Sequence, residues 1–231
     1  MSITSVDLRV RARERLVTAS APLNASLPIR NTSTVLGRGD AIPSPGDDDL
    51  NPGALSVFDW SSNETNKIAP KPAAVLVGIL DNDALDVYFT QRTSVLPTHA
   101  GQISFPGGKI DFDDPGPTEA ALREAQEEIG LTSRHVEPLG FLETYRTGTG
   151  YSIQPLVALI DPEFVPEPNP SEVAELFTVP LDYLMDENRM DIHDRVIDGR
   201  DRRFYAVNYN DRFIWGATAG ILRNMRERLF G

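Results

Sequence analysis

Arg123-Glu124-Ala125-Gln126-Glu127-Glu128 puts three carboxylates and one guanidinium into six consecutive residues. Pro117 suits a first helical turn and Gly130 the position just past a helix end, which predicts a helix over about 117–129. At 100° per residue, with Glu124 as zero, Glu127 falls at about −60° and Glu128 at about +40°. Ala121, Leu122, Ala125 and Ile129 fill an arc from roughly 60° to 160°, the stripe expected to face a core. Three carboxylates therefore share one face while another face packs. On an open surface such a run is an ordinary solvated face, since like charges there cost only tenths of a kcal/mol. In a cleft, two carboxylates about 5.5 Å apart repel by roughly 3 kcal/mol at an effective dielectric near 20. A divalent cation would remove that repulsion. Hard oxygen donors suit Mg²⁺ or Mn²⁺, and the lack of nearby His or Cys argues against zinc. Arg123, one turn before Glu127, is placed to hold that carboxylate by a bidentate pair.

The longer stretch FPGGKIDFDDPGPTEAALREAQEEIGL, residues 105–131, resembles the Nudix box, G-x5-E-x7-R-E-U-x-E-E-x-G-U with U aliphatic. The second half matches from Arg123 to Leu131, with Ala125 a small residue at U. The first half departs: the sixth residue after Gly108 is Asp114 rather than Glu, and eight residues separate it from Arg123. A one-residue insertion accommodates this. Just upstream, YFTQRTSVLPTHAGQISFPGG is similar to the motif of the coenzyme A diphosphatase branch, L-L-T-x-R-S/A-x3-R-x3-G-x3-F-P-G-G. Thr90, Arg92, Gly101 and Phe105–Gly108 fall in register, Thr93 departs mildly, and Pro97 stands where that branch usually has Arg. GTGYSIQPLVALI, SEVAELFTVPL and IWGATAGIL extend the likeness over about 72–230.

The resemblance implies a Mg²⁺- or Mn²⁺-dependent hydrolase that cuts the diphosphate of coenzyme A or acyl-coenzyme A to 3′,5′-ADP and (acyl-)phosphopantetheine. Glu124, Glu127 and Glu128 would hold the cation, with a backbone carbonyl of the glycine turn, that of Gly107, completing the shell. Arg123 and Glu127 carry over as catalytic residues. A second carboxylate from outside the box often serves as ligand or base; Glu172 and Glu175 are the candidates, with Glu172 preferred. Arg92, His99, Gln102, Gly108 and Tyr151 are the expected substrate contacts, Arg92 on a phosphate and Tyr151 stacked on adenine. Pro97 keeps a second reading open, another nucleoside-diphosphate substrate such as ADP-ribose or NADH. A third is an idle module that only binds a nucleotide, against which the intact glutamate trio argues.

The chain's 231 residues suffice for one domain with a sizeable core. The net charge of −12 disfavours nucleic acid and anionic membrane surfaces as partners and fits a small-molecule diphosphate only where cations act locally. No cysteine is present, which excludes disulfides and thiolate chemistry. The longest apolar run, Ala73–Leu80, is far short of a membrane span, and the default location is cytoplasmic. Homodimer formation is left open. Residues 1–70 read as an N-terminal extension: one amphipathic helix over 6–18 after Ser5, with Val6, Val10 and Leu16–Val17 on a face, then a long irregular segment. Residues 71–231 read as the hydrolase domain. AAVLVGIL and ALDVYFTQ form a hairpin, with Leu85, Val87 and Phe89 on one side and Tyr88 and Thr90 on the other. QISF, 137–146, SIQPLVALI, LFTVPL, RFYAVNY and RFIW are further strands, Pro155 marking an edge or bulge. PLDYLMDE is a short helix, and a last helix turns Thr218, Leu222, Met225 and Leu229 inward, with Trp215 in the core. His135 and His193 read as surface residues. The fold class is α/β, an α/β/α sandwich with a mixed β-sheet.

Overall fold

The computed structural model describes residues 3–17, 46–51, 70–94, 101–197 and 200–231. Strand β1 (Lys71–Leu80) is the spine, since its apolar run is covered on both faces. Val77 and Ile79 point into one hydrophobic cluster and Ala74 and Leu76 into another. Such two-sided burial is why the segment reads as continuous rather than alternating hydrophobicity. β2 (Asp86–Arg92) and β7 (Tyr151–Ile160) flank it, the first antiparallel and the second parallel. β3 (Ile103–Ser104) and β8 (Val173–Pro180) pair with β2, and β4 (Gly107–Lys109) pairs with β1. β5 (Val136–Phe141) and β6 (Tyr145–Arg146) pair with β7 and complete a mixed eight-stranded sheet.

Helix α2 (Pro117–Ile129) covers the face carrying Ala74 and Leu76. Helices α1 (Ser5–Arg15) and α4 (Ala217–Phe230) cover the other, with the short α3 (Leu181–Met185) beside α4. The arrangement is the expected α/β/α sandwich. β9 (Met190–Ile197), β10 (Arg200–Tyr209) and β11 (Arg212–Trp215) form a second, antiparallel sheet that reaches the core through Met190, Val207 and Ile214. Among the described residues no helix is long and apolar enough to cross a membrane.

The helix over 117–129 forms with those bounds, Pro117 in its first turn and Gly130 closing it in a left-handed conformation at φ 73°. Its inner face is Ala120, Ala121, Ala125 and Ile129; Leu122 is only half-buried. α4 turns Thr218, Leu222, Met225 and Leu229 inward as its spacing predicts.

Several expectations change. The N-terminal helix is capped by Thr4, not Ser5, and ends at Arg15. Its buried residues are Leu8 and Ala12, while Val6 and Val10 stay 65% and 50% exposed, because the interface is a narrow i, i+4 seam against α4 and β5. Pro155 lies in an internal strand: Phe141 pairs with Leu156 and Tyr145 with Ile153, so it meets the gap between β5 and β6, where its missing N–H interrupts no ladder. Its carbonyl still accepts the Leu142 N–H at 3.1 Å. β9 was not expected, although Met190, Ile192 and Val196 alternate with Asp191, His193 and Arg195. Trp215 is half-buried at a cavity rim rather than in the core. His135 packs against Phe164, and His193 between Phe204 and Phe213. Most of the irregular segment lies outside the described residues.

α1 is tied down by charge as well as by its seam. Arg9 donates to both Glu137 carboxylate oxygens and to Asp81 at 2.8–3.1 Å. The guanidinium holds Glu137 below the usual carboxylate range, mainly through its hydrogen bonds. A lowered folded pKa gives stability that is present above the unfolded value of about 4.3 and lost as pH falls through the folded value. After allowance for solvent at these half-exposed groups, the network contributes about 1 kcal/mol. Arg9→Ala is therefore expected to lower Tm at pH 7 by roughly 2–4 °C. The gap between the two melting curves should close as pH drops below about 4; a gap that persists in acid means Arg9 acts through packing alone.

Candidate active site

Four elements bring the carboxylates together. α2 docks on β1 and β4, so Glu124 and Glu128 face the turn between β3 and β4. Gly107 stands at φ 153° with Ala74 and Val75 so near that a Cβ would lie 2.5 Å from the Ala74 carbonyl oxygen. Gly108 has the Glu124 carboxyl against it: a Cβ there would meet all three carboxyl atoms at 2.5–2.6 Å. The glycine pair thus lets a carboxylate lie directly on backbone. On the opposite side, the chain after β7 is pinned to the end of α2 by Glu167 N–H on the Ile129 carbonyl and Asn169 N–H on that of Glu128. The Thr93 N–H then donates to the Glu172 carbonyl at 2.9 Å, which sets Glu172 beside the end of β2.

Glu128 is the innermost group, 5% exposed. Burial, with the neighbouring charges of Glu124 and Glu172, pushes its carboxyl up to about 8, against the smaller opposing pull of Arg92 and a Gly107 backbone hydrogen bond. The buried Thr90 hydroxyl donates to it at 3.5 Å. Burial also raises Glu124, partly offset by Arg123. Glu127, at the same helix face, is exposed.

Arg123 does not form its main pair with Glu127. It grips Asp114 with Nε and Nη2 at 3.0 and 2.9 Å, reaches Glu124 with Nη1 at 3.0 Å and the Lys109 carbonyl at 3.1 Å, and touches Glu127 only at 3.3–3.4 Å. The reason is the inserted residue: the turn at 111–114, closed by Asp111 N–H on the Asp114 carboxylate at 2.8 Å, carries Asp114 inward to 7% side-chain exposure. Asp114 is accordingly held below the usual carboxylate range by the guanidinium.

Of the other expected residues, Arg92 faces Glu128, and Gln102 lies beside it, its carbonyl accepting the Arg92 N–H at 3.0 Å. Glu175 is not in this group: it pairs with Arg212 on the far face of the sheet. Tyr151 shares the α4 side of β7 with Ile153 and Val157, under Lys71, and is not brought to the glutamates. His99 and Pro97 lie outside the described residues. Thr90, Asp114 and the Lys109 carbonyl were not singled out by sequence as site groups; the insertion hid the second, and burial decides the first.

The donor set is carboxylate and carbonyl oxygen throughout, and it includes a buried carboxyl crowded by two others, which fits a hard divalent cation. Among the described residues no three such groups already stand as a closed metal shell; Arg123 draws Glu124 and Glu127 toward itself.

Comparison with known proteins gives consistent matches. The sequence matches the NUDIX domain family over residues 69–198. It is 39% identical over 158 residues to an uncharacterized Nudix hydrolase, NudL, of Klebsiella pneumoniae, covering 67% of this chain and 81% of that protein. The NudL of Yersinia pestis is 38% identical over 160 residues, covering 68% and 79%. Among solved structures, the Nudix hydrolase RenU of M. smegmatis superposes with a TM-score of 0.43 at 23% identity, over 55% of this chain and 80% of that one.

The two glycines should separate in a thermal melt. Gly107→Ala forces a side chain onto backbone at a glycine-only conformation and is expected to lower Tm by roughly 5 °C or more. Gly108→Ala meets only the movable end of Glu124, so Tm should hold while Mn²⁺ affinity by titration calorimetry falls. Equal melting losses in both would show that Gly108, too, is a packing position.

Proposed function

The chain belongs to the Nudix family, whose members hydrolyse pyrophosphate bonds, and on that premise we propose that it cleaves the diphosphate of coenzyme A or acyl-coenzyme A to 3′,5′-ADP and (acyl-)phosphopantetheine. The observation that carries a hydrolytic reading is the buried Glu128 carboxyl with Glu124 and Glu172 beside it and Arg92 opposite. Nudix enzymes typically use Mg²⁺ or Mn²⁺, and Glu124, Glu127, Glu128 and the Gly107 carbonyl are the groups that would hold it here. Once bound, such a cation neutralises phosphate oxygens and makes an attacking water more acidic.

The remaining work falls to the chain. Arg92 presents a planar guanidinium to the phosphate oxygens and orients the diphosphate. Glu172, half-exposed next to the glutamates, takes the proton from water as the new P–O bond forms and the bridging P–O bond breaks. The second phosphate leaves with the bond's electron pair. Arg123 positions rather than reacts, by fixing Glu124 against Asp114 and the Lys109 carbonyl. Thr90, Arg92, Gly101 and Phe105–Gly108 support coenzyme A as the substrate, through the upstream motif they match. Pro97 supports the second reading, ADP-ribose or NADH, because it removes a cation that the motif otherwise supplies.

A mass-spectrometric product assay over coenzyme A, acyl-coenzyme A, ADP-ribose, NADH and dinucleoside polyphosphates, with each cation, decides between them. The expected products are 3′,5′-ADP and phosphopantetheine; coenzyme A left intact beside cleaved ADP-ribose would favour the second reading. Glu128→Gln should abolish cleavage with the fold retained by circular dichroism, and near-normal turnover would remove this site from the reaction. Glu172→Gln should lower kcat by about 10²–10⁴-fold with little change in KM.

A further inference from the structure

Glu172 lies in no helix and no strand, so its aim depends on the turn that leads into β8. Asn169-Pro170-Ser171-Glu172 has the residues such a turn favours, an Asn first and a Pro second. The Glu172 N–H closes the turn on the Asn169 carbonyl at 3.1 Å, and the Val173 N–H reaches the same oxygen at 2.8 Å. The Asn169 side chain closes it a second time. Its Oδ1 accepts the Ser171 N–H at 3.1 Å and the Ser171 Oγ–H at 2.7 Å, which fixes the peptide immediately before Glu172. From the β2 side, the Thr93 hydroxyl donates to the Ser171 carbonyl at 3.5 Å. Asn169 faces the other way as well. The last carbonyls of a helix have no partner within it. That of Glu128 is taken by the Asn169 N–H at 2.8 Å. One residue thus holds the backbone of the buried glutamate by its N–H, and the turn carrying Glu172 by its carbonyl and side chain. The Glu172 charge is felt at both Glu124 and Glu128.

We propose that Asn169 is a positioning residue for the hydrolysis: its side-chain Oδ1 sets the Glu172 carboxylate, relative to Glu128, where it can take the proton of the attacking water. The proposal rests on the reading of Glu172 as that base. The side chain is the part that can be tested. The Asn169 N–H and carbonyl survive any ordinary substitution at 169, so the anchor on Glu128 and the backbone closure of the turn remain, whereas the Oδ1 bonds do not. Both of those bonds fall on an acceptor that Asp also supplies and Ala lacks. A reacting group displaced by about 1 Å can cost roughly 10²-fold in rate, so a small loosening of this turn is enough to be read in turnover.

The test is steady-state kinetics of the full-length protein with Mn²⁺, on coenzyme A and on ADP-ribose, the faster substrate being kept for the variants. Asn169→Ala should lower kcat by roughly ten- to a hundredfold while KM stays within about twofold. Asn169→Asp, which restores the acceptor, should bring kcat back to within about threefold of the original. In a Glu172→Gln background the same Asn169→Ala change should add less than about threefold, because the group it aims is already disabled. Ser171→Ala, which removes only the Oγ–H bond, is the second variant should Asn169→Ala melt early; it should lower kcat by a smaller factor and be silent in that background. Unchanged kcat in both variants, a loss that Asp does not reverse, or a loss just as large without Glu172 would overturn the proposal. Glu172→Gln crippled beside an unimpaired Asn169→Ala leaves the base in place and removes Asn169 alone. Near-normal turnover in Glu172→Gln, or cleavage of neither substrate by the unaltered protein, removes the reading beneath the proposal and the proposal with it.

Discussion

The fold is arranged around a carboxyl held almost out of water. Glu128 sits 5% exposed, with two further acidic groups as neighbours. Desolvation alone raises the cost of its charge, and crowding by Glu124 and Glu172 adds to it. A folded acid whose pKa has risen opposes folding as pH climbs past its unfolded value, so keeping this group protonated at neutral pH, where the unfolded chain would ionise it, is a standing cost of the native state. The sheet and α2 bear that cost through packing: Ala120, Ala121, Ala125 and Ile129 are fully buried against Ala74, Leu76, Leu156 and Ala158. Small alanines on the helix allow it to lie close to the sheet, and that closeness takes Glu128 out of solvent.

Around this buried group the opposite charges are distributed with economy. Arg123 is surrounded by Asp114, Glu124 and Glu127, and its own charge is stabilised chiefly by the hydrogen bonds to Asp114. It therefore acts as a local counter-ion to the outer carboxylates and leaves the inner one to Arg92. Asp114 makes this work despite being shorter than the glutamate of the usual pattern. An extra residue in the turn brings a shorter side chain to the same guanidinium, so loop length and side-chain length compensate.

How much of this could be read in the sequence differs by element. α2 was legible to its ends because three signals agree there: a starting proline, a closing glycine and one apolar stripe. Its site role was legible through the resemblance to a known box. The partner of Arg123 was not, since helical spacing names Glu127 and says nothing of a loop folded back across the helix. α1 was legible as a helix, but its inward face was not. Valines at 6 and 10 and a leucine at 8 mark competing stripes on so short a helix, and only the docking seam between α4 and β5 chooses Leu8 and Ala12. Pro155 misled because a proline argues for an edge until the partner strand is known to break opposite it. β9 carried a period-two pattern, but two aspartates, a histidine and an arginine within MDIHDRVI diluted its apolar face below that of any core strand.

The choice between Glu172 and Glu175 shows what three residues of separation mean on a strand end. Glu175 belongs to β8, opposite Gln91, and shares its face with Phe177 and Val179. Glu172 precedes the strand, in a segment whose direction is set by hydrogen bonds to the end of α2 rather than by the sheet. Strand periodicity therefore governs the one and helix anchoring the other, which puts them on opposite sides of the same edge. β2 repeats that division in consecutive residues: Thr90 and Arg92 are committed to the acidic side and Gln91 to the aromatic one. A strand end has two faces at no structural cost, whereas a helix offers one docked face and one free one. That is why the glutamates can be crowded onto α2 while Gln91, Glu175, Arg212, Phe213 and Trp215 gather across the sheet, where their polarity does not compete with the acidic cluster.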